Sequence, residues 1–150
     1  MNILELLNEQ AIRIPLDAAD KNTVISELID SLAAAGVVTD KAAFEAAVLT
    51  RENAGSTGIG FQVAIPHGKS AGVERAGIAF AKLSTPIDWQ SLDDVPVQAV
   101  FMIAVPEAAA GNDHLKILIA LSRKLIDSDF RSSLLSVSDA EQLKQLLATI

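Results

Sequence analysis

A chain of 150 residues, half of them apolar, is long enough for one domain with a real core, since a domain of this size removes ~68–70% of its unfolded surface from water. A net charge of −7 with a pI near 4.7 argues against a surface that tracks nucleic-acid phosphates, and the absence of cysteine excludes disulfides, thiolate catalysis and thiolate-bound zinc. The longest dense apolar run, Val95 to Val105, is interrupted by Pro96 and Gln98, and the first nine residues carry acids where a signal peptide carries positive charge, so a soluble cytoplasmic protein without direct membrane insertion is expected.

In chain order, Ile3, Leu4, Leu6 and Leu7 open a short amphipathic piece, and Ala11-Ile12-Arg13-Ile14 alternates as a half-buried strand that Pro15 is expected to end. From Asp20, a candidate N-cap, Val24, Ile25, Leu28, Ile29 and Leu32 share one helical face, and Gly36 stands where a glycine stop belongs. A second helix is predicted to start after Thr39 or Asp40, with Phe44, Ala47, Val48 and Arg51 on one stripe, so that the buried face ends in a guanidinium. The cluster from Asn53 to Gly58 is turn-rich and leads into Val63-Ala64-Ile65, read as a short strand ending at His67, with Gly68 turning the chain away.

Two further strands are predicted, Ala76 to Leu83 and Val95 to Val105, the latter apolar at nearly every position and therefore central and covered on both faces. Between them Thr85 to Gln90 reads as a turn carrying the one tryptophan, Trp89. Residues 108–112 connect to a helix from about His114 to Asp127, with Asn112 and Asp113 as caps and Leu115, Leu118, Ile119, Ser122 and Leu125 as its stripe. Ser138 and Glu141 are spaced as a capping box for a last helix that buries Leu143, Leu146 and Leu147. Strands gathered mid-chain between helices give an α/β fold, a mixed sheet covered by helices on both faces.

The chemistry concentrates at Ser56 to Lys69. A neutral imidazole at His67 can serve as base, nucleophile or metal ligand, and Gly58 and Gly60 allow backbone N–H groups to converge on an anion beside the hydroxyls of Ser56 and Thr57. Arg51 offers a planar fork suited to two phosphoryl oxygens, His114 falls in a first helical turn where N–H groups favour anions, and Lys69 adds a nearby cation. Phosphoryl transfer asks for little more than a positioned nucleophile and donors around the transferred oxygens.

The runs Thr57-Gly58-Ile59-Gly60 and Ala64-Ile65-Pro66-His67-Gly68-Lys69, preceded by Arg51-Glu52, resemble the enzyme IIA component of the bacterial phosphoenolpyruvate-dependent sugar phosphotransferase system, in its fructose/mannitol/nitrogen-regulatory class. The likeness covers nearly the whole chain and implies a single type 2 IIA domain over residues 1–150. It implies His67 as phosphoryl acceptor and donor, His114 as a hydrogen-bond donor to the phosphoryl group and Arg51 as its stabiliser; from the residues themselves, Ile59 and Phe61 read as apolar contacts for partner proteins or as core, and Lys69 as a cation for the phosphodonor or a solvated lysine. Those partners would be the phosphocarrier HPr or an HPr-like domain, an enzyme IIB and, through it, a membrane IIC component, with neither cofactor nor metal. Gln62 departs from the glycine many relatives carry, which leaves open whether that position needs φ > 0.

Ile87-Asp88-Trp89, Asp93 to Val97 and Ile103 to Glu107 look like the fructose-type members. A regulatory module switched by phosphorylation is the alternative within the family. Hydrolysis using His67, His114, Asp113 and Glu107 is the rival outside it, weakened by the lack of any recognisable metal-ligand spacing.

Overall fold

The computed structural model describes residues 3–108 and 113–150, with Asp113 and His114 described by their backbone alone. In chain order the elements are α1 (Ile3–Leu6), β1 (Leu7–Leu16), α2 (Lys21–Ala34), α3 (Lys41–Ala54), β2 (Gly58–Gly60), β3 (Val63–Ala64), β4 (His67–Ser70), β5 (Gly77–Ile87), β6 (Val97–Pro106), α4 (Asp113–Leu125), α5 (Ser128–Leu135) and α6 (Ala140–Leu147). The strands form one mixed sheet in the order β1-β5-β6-β3-β2, and β4 also pairs with β6.

The expected layering holds. The helices α2 and α3 pack one face through Val24, Ile25, Leu28 and Phe44, against Ala79, Ala81, Val100 and Met102 of the sheet. The other face, bearing Ile78, Phe80, Phe101 and Ile103, lies under α4, α5 and α6. Because β6 has strands on both edges and helices on both faces, its run from Val97 to Val105 is buried at every position but Gln98. The α2 cap is as read, since the Asp20 carboxylate accepts the Thr23 N–H at 2.8 Å, and of the two candidates for α3 it is Asp40 that caps, accepting from Ala43 N.

Several local readings give way to longer-range pairing. Pro15 does not end β1, which continues to Leu16. As the edge strand, β1 tolerates a missing N–H, and Pro15 falls in the pairing irregularity between Arg13 and Leu16. Likewise β5 runs through Pro86 to Ile87, the proline lying in the gap between the Lys82–Ala99 and Ile87–Val97 pairs, so the predicted turn starts later, after Ile87. The stripe of α4 is displaced from the one predicted. Ile117, Leu121 and Leu125 are buried, while Leu115 and Ile119 are exposed, because a helix apolar at so many positions offers two overlapping faces.

That helix also stops earlier than predicted. Asp127 is not its end but the N-cap of α5, accepting from Asp129 N and burying Phe130 and Leu134 one turn apart. In α6 the cap is shifted by one residue from the expected Ser138–Glu141 pair. Asp139 accepts from Gln142 N, and the Gln142 side-chain oxygen accepts from Ser138 N. The predicted connector at 109–112, including Asn112, lies outside the described residues.

Candidate functional site

The edge of β6 is paired in two instalments. The strand β3 joins it at Val63–Ala99, and β4 joins it again from His67–Ile103 onward. Pro66 lies between, with no N–H to give to a ladder, though its carbonyl accepts from Ile103 N at 3.0 Å. His67 is therefore the first residue of a strand, where the sequence suggested the last. Gly68 does not turn the chain; it lets α3 approach, since a Cβ there would lie 3.2 Å from Ala47 Cβ, Val48 Cγ2 and Val48 N.

The half-buried His67 ring is held by a 2.9 Å hydrogen bond between Nδ1 and the Ile65 carbonyl. A carbonyl oxygen only accepts, so Nδ1 carries the proton, and the lone pair of the neutral ring resides on Nε2.

Close packing of α3 on β4 brings the end of that helix over the histidine. An open cleft of about 490 Å³ is lined by Thr50, Arg51, His67 and Lys69. A smaller one of about 240 Å³ joins Arg51 and His67 to Ile59, Ile65, Leu92 and Leu118. His67 thus lines both clefts, sharing the larger with Arg51 and Lys69 and the smaller with Arg51 and apolar side chains. Arg51 is exposed and donates from Nη1 to the Gly55 carbonyl at 2.6 Å, which closes the end of α3. The buried face of α3 consequently ends not in this guanidinium but one residue later, at Glu52, in phase with Phe44 and Val48.

The loop hydroxyls expected to face an anion are engaged within the protein. Ser56 Oγ donates to the Trp89 carbonyl at 2.6 Å and accepts from Gly58 N at 3.0 Å, while Thr57 Oγ1 donates to Glu52 Oε1. Gly58 belongs to β2, and it faces Ser91 so closely that a Cβ would stand 2.9 Å from Ser91 Cα. Gly60, in contrast, has φ +97°, and β2 turns into β3 through Phe61 and Gln62 at φ 59° and 64°. Two central residues at positive φ are what a type I′ hairpin demands, so position 62 does carry φ > 0 although it is glutamine. The turn is braced by Phe61 N donating to Asp93 Oδ2 at 3.1 Å, by Gln98 N and Ala99 N donating to the Gln62 carbonyl, and by Arg131 stacked 4.6 Å over the Phe61 ring. Phe61 and Lys69 are exposed and Ile59 is half-buried.

Residues missed in the sequence are those beneath the loop. Glu52, Trp89 and Lys21 meet there, from α3, the β5–β6 connection and the start of α2. The available signal was Glu52 itself, an acid four and eight positions after Val48 and Phe44 on a buried stripe. The side chains of His114 and Asp113 lie outside the described residues; the His114 backbone is in the first turn of α4, one turn before Leu118. Glu107 follows β6 past the Ser70–Pro106 pair, at the far end of β4 from His67, so the hydrolytic set is not assembled. Among the described residues no group of three or more histidines, aspartates and glutamates is placed to hold a metal ion.

Comparison with known proteins fits this geometry. The family model described as "Phosphoenolpyruvate-dependent sugar phosphotransferase system, EIIA 2" matches residues 5–150. The fructose-specific EIIA component of Haloferax volcanii is 42% identical over 132 residues, covering 88% of this chain and 85% of that protein. The fructose-specific EIIABC component of Bacillus subtilis is 38% identical over 98% of this chain, which spans only 23% of that longer protein. Among solved structures, the nitrogen regulatory protein IIA-Ntr of Neisseria meningitidis superposes with a TM-score of 0.88 at 33% identity, covering 97% of this chain and 98% of its own. With a family model spanning residues 5–150, a relative 42% identical over most of both chains and a fold shared with the Neisseria meningitidis structure, the chain belongs to the EIIA 2 family of the phosphoenolpyruvate-dependent sugar phosphotransferase system, a family of phosphotransferase relay components.

Proposed function

We propose that this chain, acting as a single IIA domain over residues 1–150, relays a phosphoryl group through Nε2 of His67 for fructose-type sugar uptake in the cytoplasm. The observation that supports this reading is the Nδ1–H···O=C bond to Ile65, which leaves the imidazole lone pair on Nε2 of a ring that shares its cleft with Arg51 and Lys69. In the first step the Nε2 lone pair attacks the phosphorus of a phosphohistidine on HPr or an HPr-like domain. The donor's N–P bond breaks and its electron pair returns to the donor ring. In the second step a cysteine thiolate of a IIB component attacks, and the pair of the breaking N–P bond returns to Nε2. Neither step consumes water or a net proton.

The remaining side chains act on charge and approach. The Arg51 guanidinium offers N–H groups to the equatorial oxygens, Lys69 attracts the anionic donor, and His114, one turn before Leu118, donates to the phosphoryl group. Ser56, Thr57, Gly58 and Gly60 shape the loop around it. The apolar rim of Ile59, Phe61, Leu115 and Ile119 suits a protein partner, since docking draws on exposed apolar contact beside a polar centre. The Bacillus subtilis relative, whose name joins A, B and C components, supports a IIB partner and a IIC component beyond it.

The test is labelling with enzyme I, HPr and radioactive phosphoenolpyruvate. Wild type should give an acid-labile, base-stable phosphoprotein and His67→Ala none; equal labelling of the variant would overturn the assignment. The similarity to a protein named as nitrogen regulatory favours a second reading, in which phosphorylation state controls a partner. Onward transfer to the cysteine of a fructose-class IIB supports transport. Labelling without such transfer, together with phosphorylation-dependent capture of a regulatory protein, supports regulation.

A further inference from the structure

Glu52 is a carboxylate with only 2% of its side chain exposed, and burying such a group is costly unless donors surround it. Four do. Oε1 accepts from Thr57 Oγ1 and from Trp89 Nε1 at 3.3 Å; Oε2 accepts from Thr57 N at 3.3 Å and from Lys21 Nζ at 3.4 Å. The ammonium of Lys21 also stands 5.8 Å from the centre of the Trp89 ring. Each oxygen therefore has two donors, drawn from three separate parts of the chain.

The network does not stop at Thr57. Its carbonyl accepts the Ile65 N–H at 3.0 Å, and the Ile65 carbonyl accepts from His67 Nδ1 at 2.9 Å. A continuous series of hydrogen bonds and peptide units thus leads from the buried carboxylate to the anchored nitrogen of the imidazole. We propose that Glu52 is a positioning residue for His67: by clamping Thr57 it fixes the Ile65 peptide, and the Ile65 carbonyl in turn fixes the ring's orientation and keeps its lone pair on Nε2. This rests on the phosphoryl-relay reading only for its effect on rate. The effect on the tautomer stands on geometry alone.

Glutamine at position 52 preserves shape and removes the second acceptor. Its amide nitrogen must face either Thr57 N–H and Lys21, or the Trp89 N–H, and in both orientations donors meet donors. Loss of a supporting partner of this kind commonly costs ~10–100-fold in activity. The experiment is ¹⁵N NMR of the imidazole nitrogens of His67 at a pH where the ring is neutral, paired with single-turnover phosphorylation by phosphorylated HPr.

Wild type should show one protonated nitrogen, Nδ1. Glu52→Gln should show a mixture of tautomers and a maximal rate roughly 10–100-fold lower, with the half-saturating HPr concentration unchanged. A folded Glu52→Gln with the wild-type ¹⁵N pattern overturns the proposal, as does a change confined to the half-saturating concentration. Should Glu52→Gln fail to fold, Thr57→Val, which deletes one clamp and keeps the backbone, decides by the same two readouts in the same sense. If wild type accepts no phosphoryl group, the relay reading falls while the ¹⁵N comparison still decides the role of Glu52.

Discussion

Replacing Gly58 by alanine isolates the contact on which the site's loop rests. In an ordinary strand that exchange is favourable by ~0.5–1 kcal/mol, because glycine loses more backbone freedom on folding. Gly58 has no positive φ to protect, so backbone strain does not enter. The added Cβ would stand 2.3 Å from Ser91 Oγ, 2.9 Å from Ser91 Cα and 3.0 Å from Ser91 Cβ. Rotating the hydroxyl relieves only the first of these contacts. The other two require β2 and the 89–92 segment to part by several tenths of an ångström, stretching the 3.0 Å bond from Leu92 N to the Gly58 carbonyl.

Overpacking of this sort costs ~1–3 kcal/mol, which outweighs the entropic gain and lowers the melting temperature by roughly 2–8 °C. Ser91→Ala alone should stabilise, by about 1 kcal/mol, because Ser91 Oγ is buried without a hydrogen-bond partner among the described residues. Joined with Gly58→Ala it should recover part of the loss and no more, since the Cα and Cβ contacts remain. Urea denaturation of the two single variants and the double variant closes the cycle. A Gly58→Ala protein as stable as wild type, or strict additivity in the double variant, would refute the packing argument.

Two other outcomes are expected. The Asp20 carboxyl is held below its ordinary value of 3.8, first by the Thr23 backbone N–H and then by the Thr23 hydroxyl, so its contribution is fully present above that value and is lost as pH falls through the lower folded one. Acid titration followed by circular dichroism should show Asp20→Asn less stable than wild type at neutral pH, with the gap narrowing across that acid window; a gap independent of pH contradicts the assignment. On α4, Ile119 is 51% exposed and contributes little to the core, so Ile119→Ser should leave the melting temperature unchanged while slowing phosphoryl exchange with a protein donor at sub-saturating concentration. Equal exchange rates would remove this face from the docking surface.

Sequence carried the parts of the fold that are set by near neighbours. The caps Asp20 and Asp40 lie three residues before the N–H groups they accept, and the β6 run is apolar whether or not its partners are known. What failed was set from a distance. Pro66 looks terminal because a proline ends most ladders, but β6 is long enough to pair again on its far side. Gly68 and Gly58 look like turn glycines, yet each is there because another segment, α3 or Ser91, comes too close for a Cβ. The stripe of α3 reads in sequence as ending in Arg51, whereas the inward residue is Glu52, a single helical step later. The histidine motif was legible, whereas the donors around the acid beneath it, Trp89 and Lys21, are brought alongside only by the fold.

Trp89 gives that buried cluster an optical consequence. The chain has one tryptophan and no tyrosine, so emission excited near 295 nm comes from a single ring. That indole is fully buried, with a cation above its face and its N–H turned to a carboxylate and a hydroxyl, an environment whose field is set by Glu52 and Lys21. The protein therefore contains its own fluorophore at the base of the loop that frames His67, and a stopped-flow trace on unlabelled material reads any rearrangement of that loop as a change in colour or intensity.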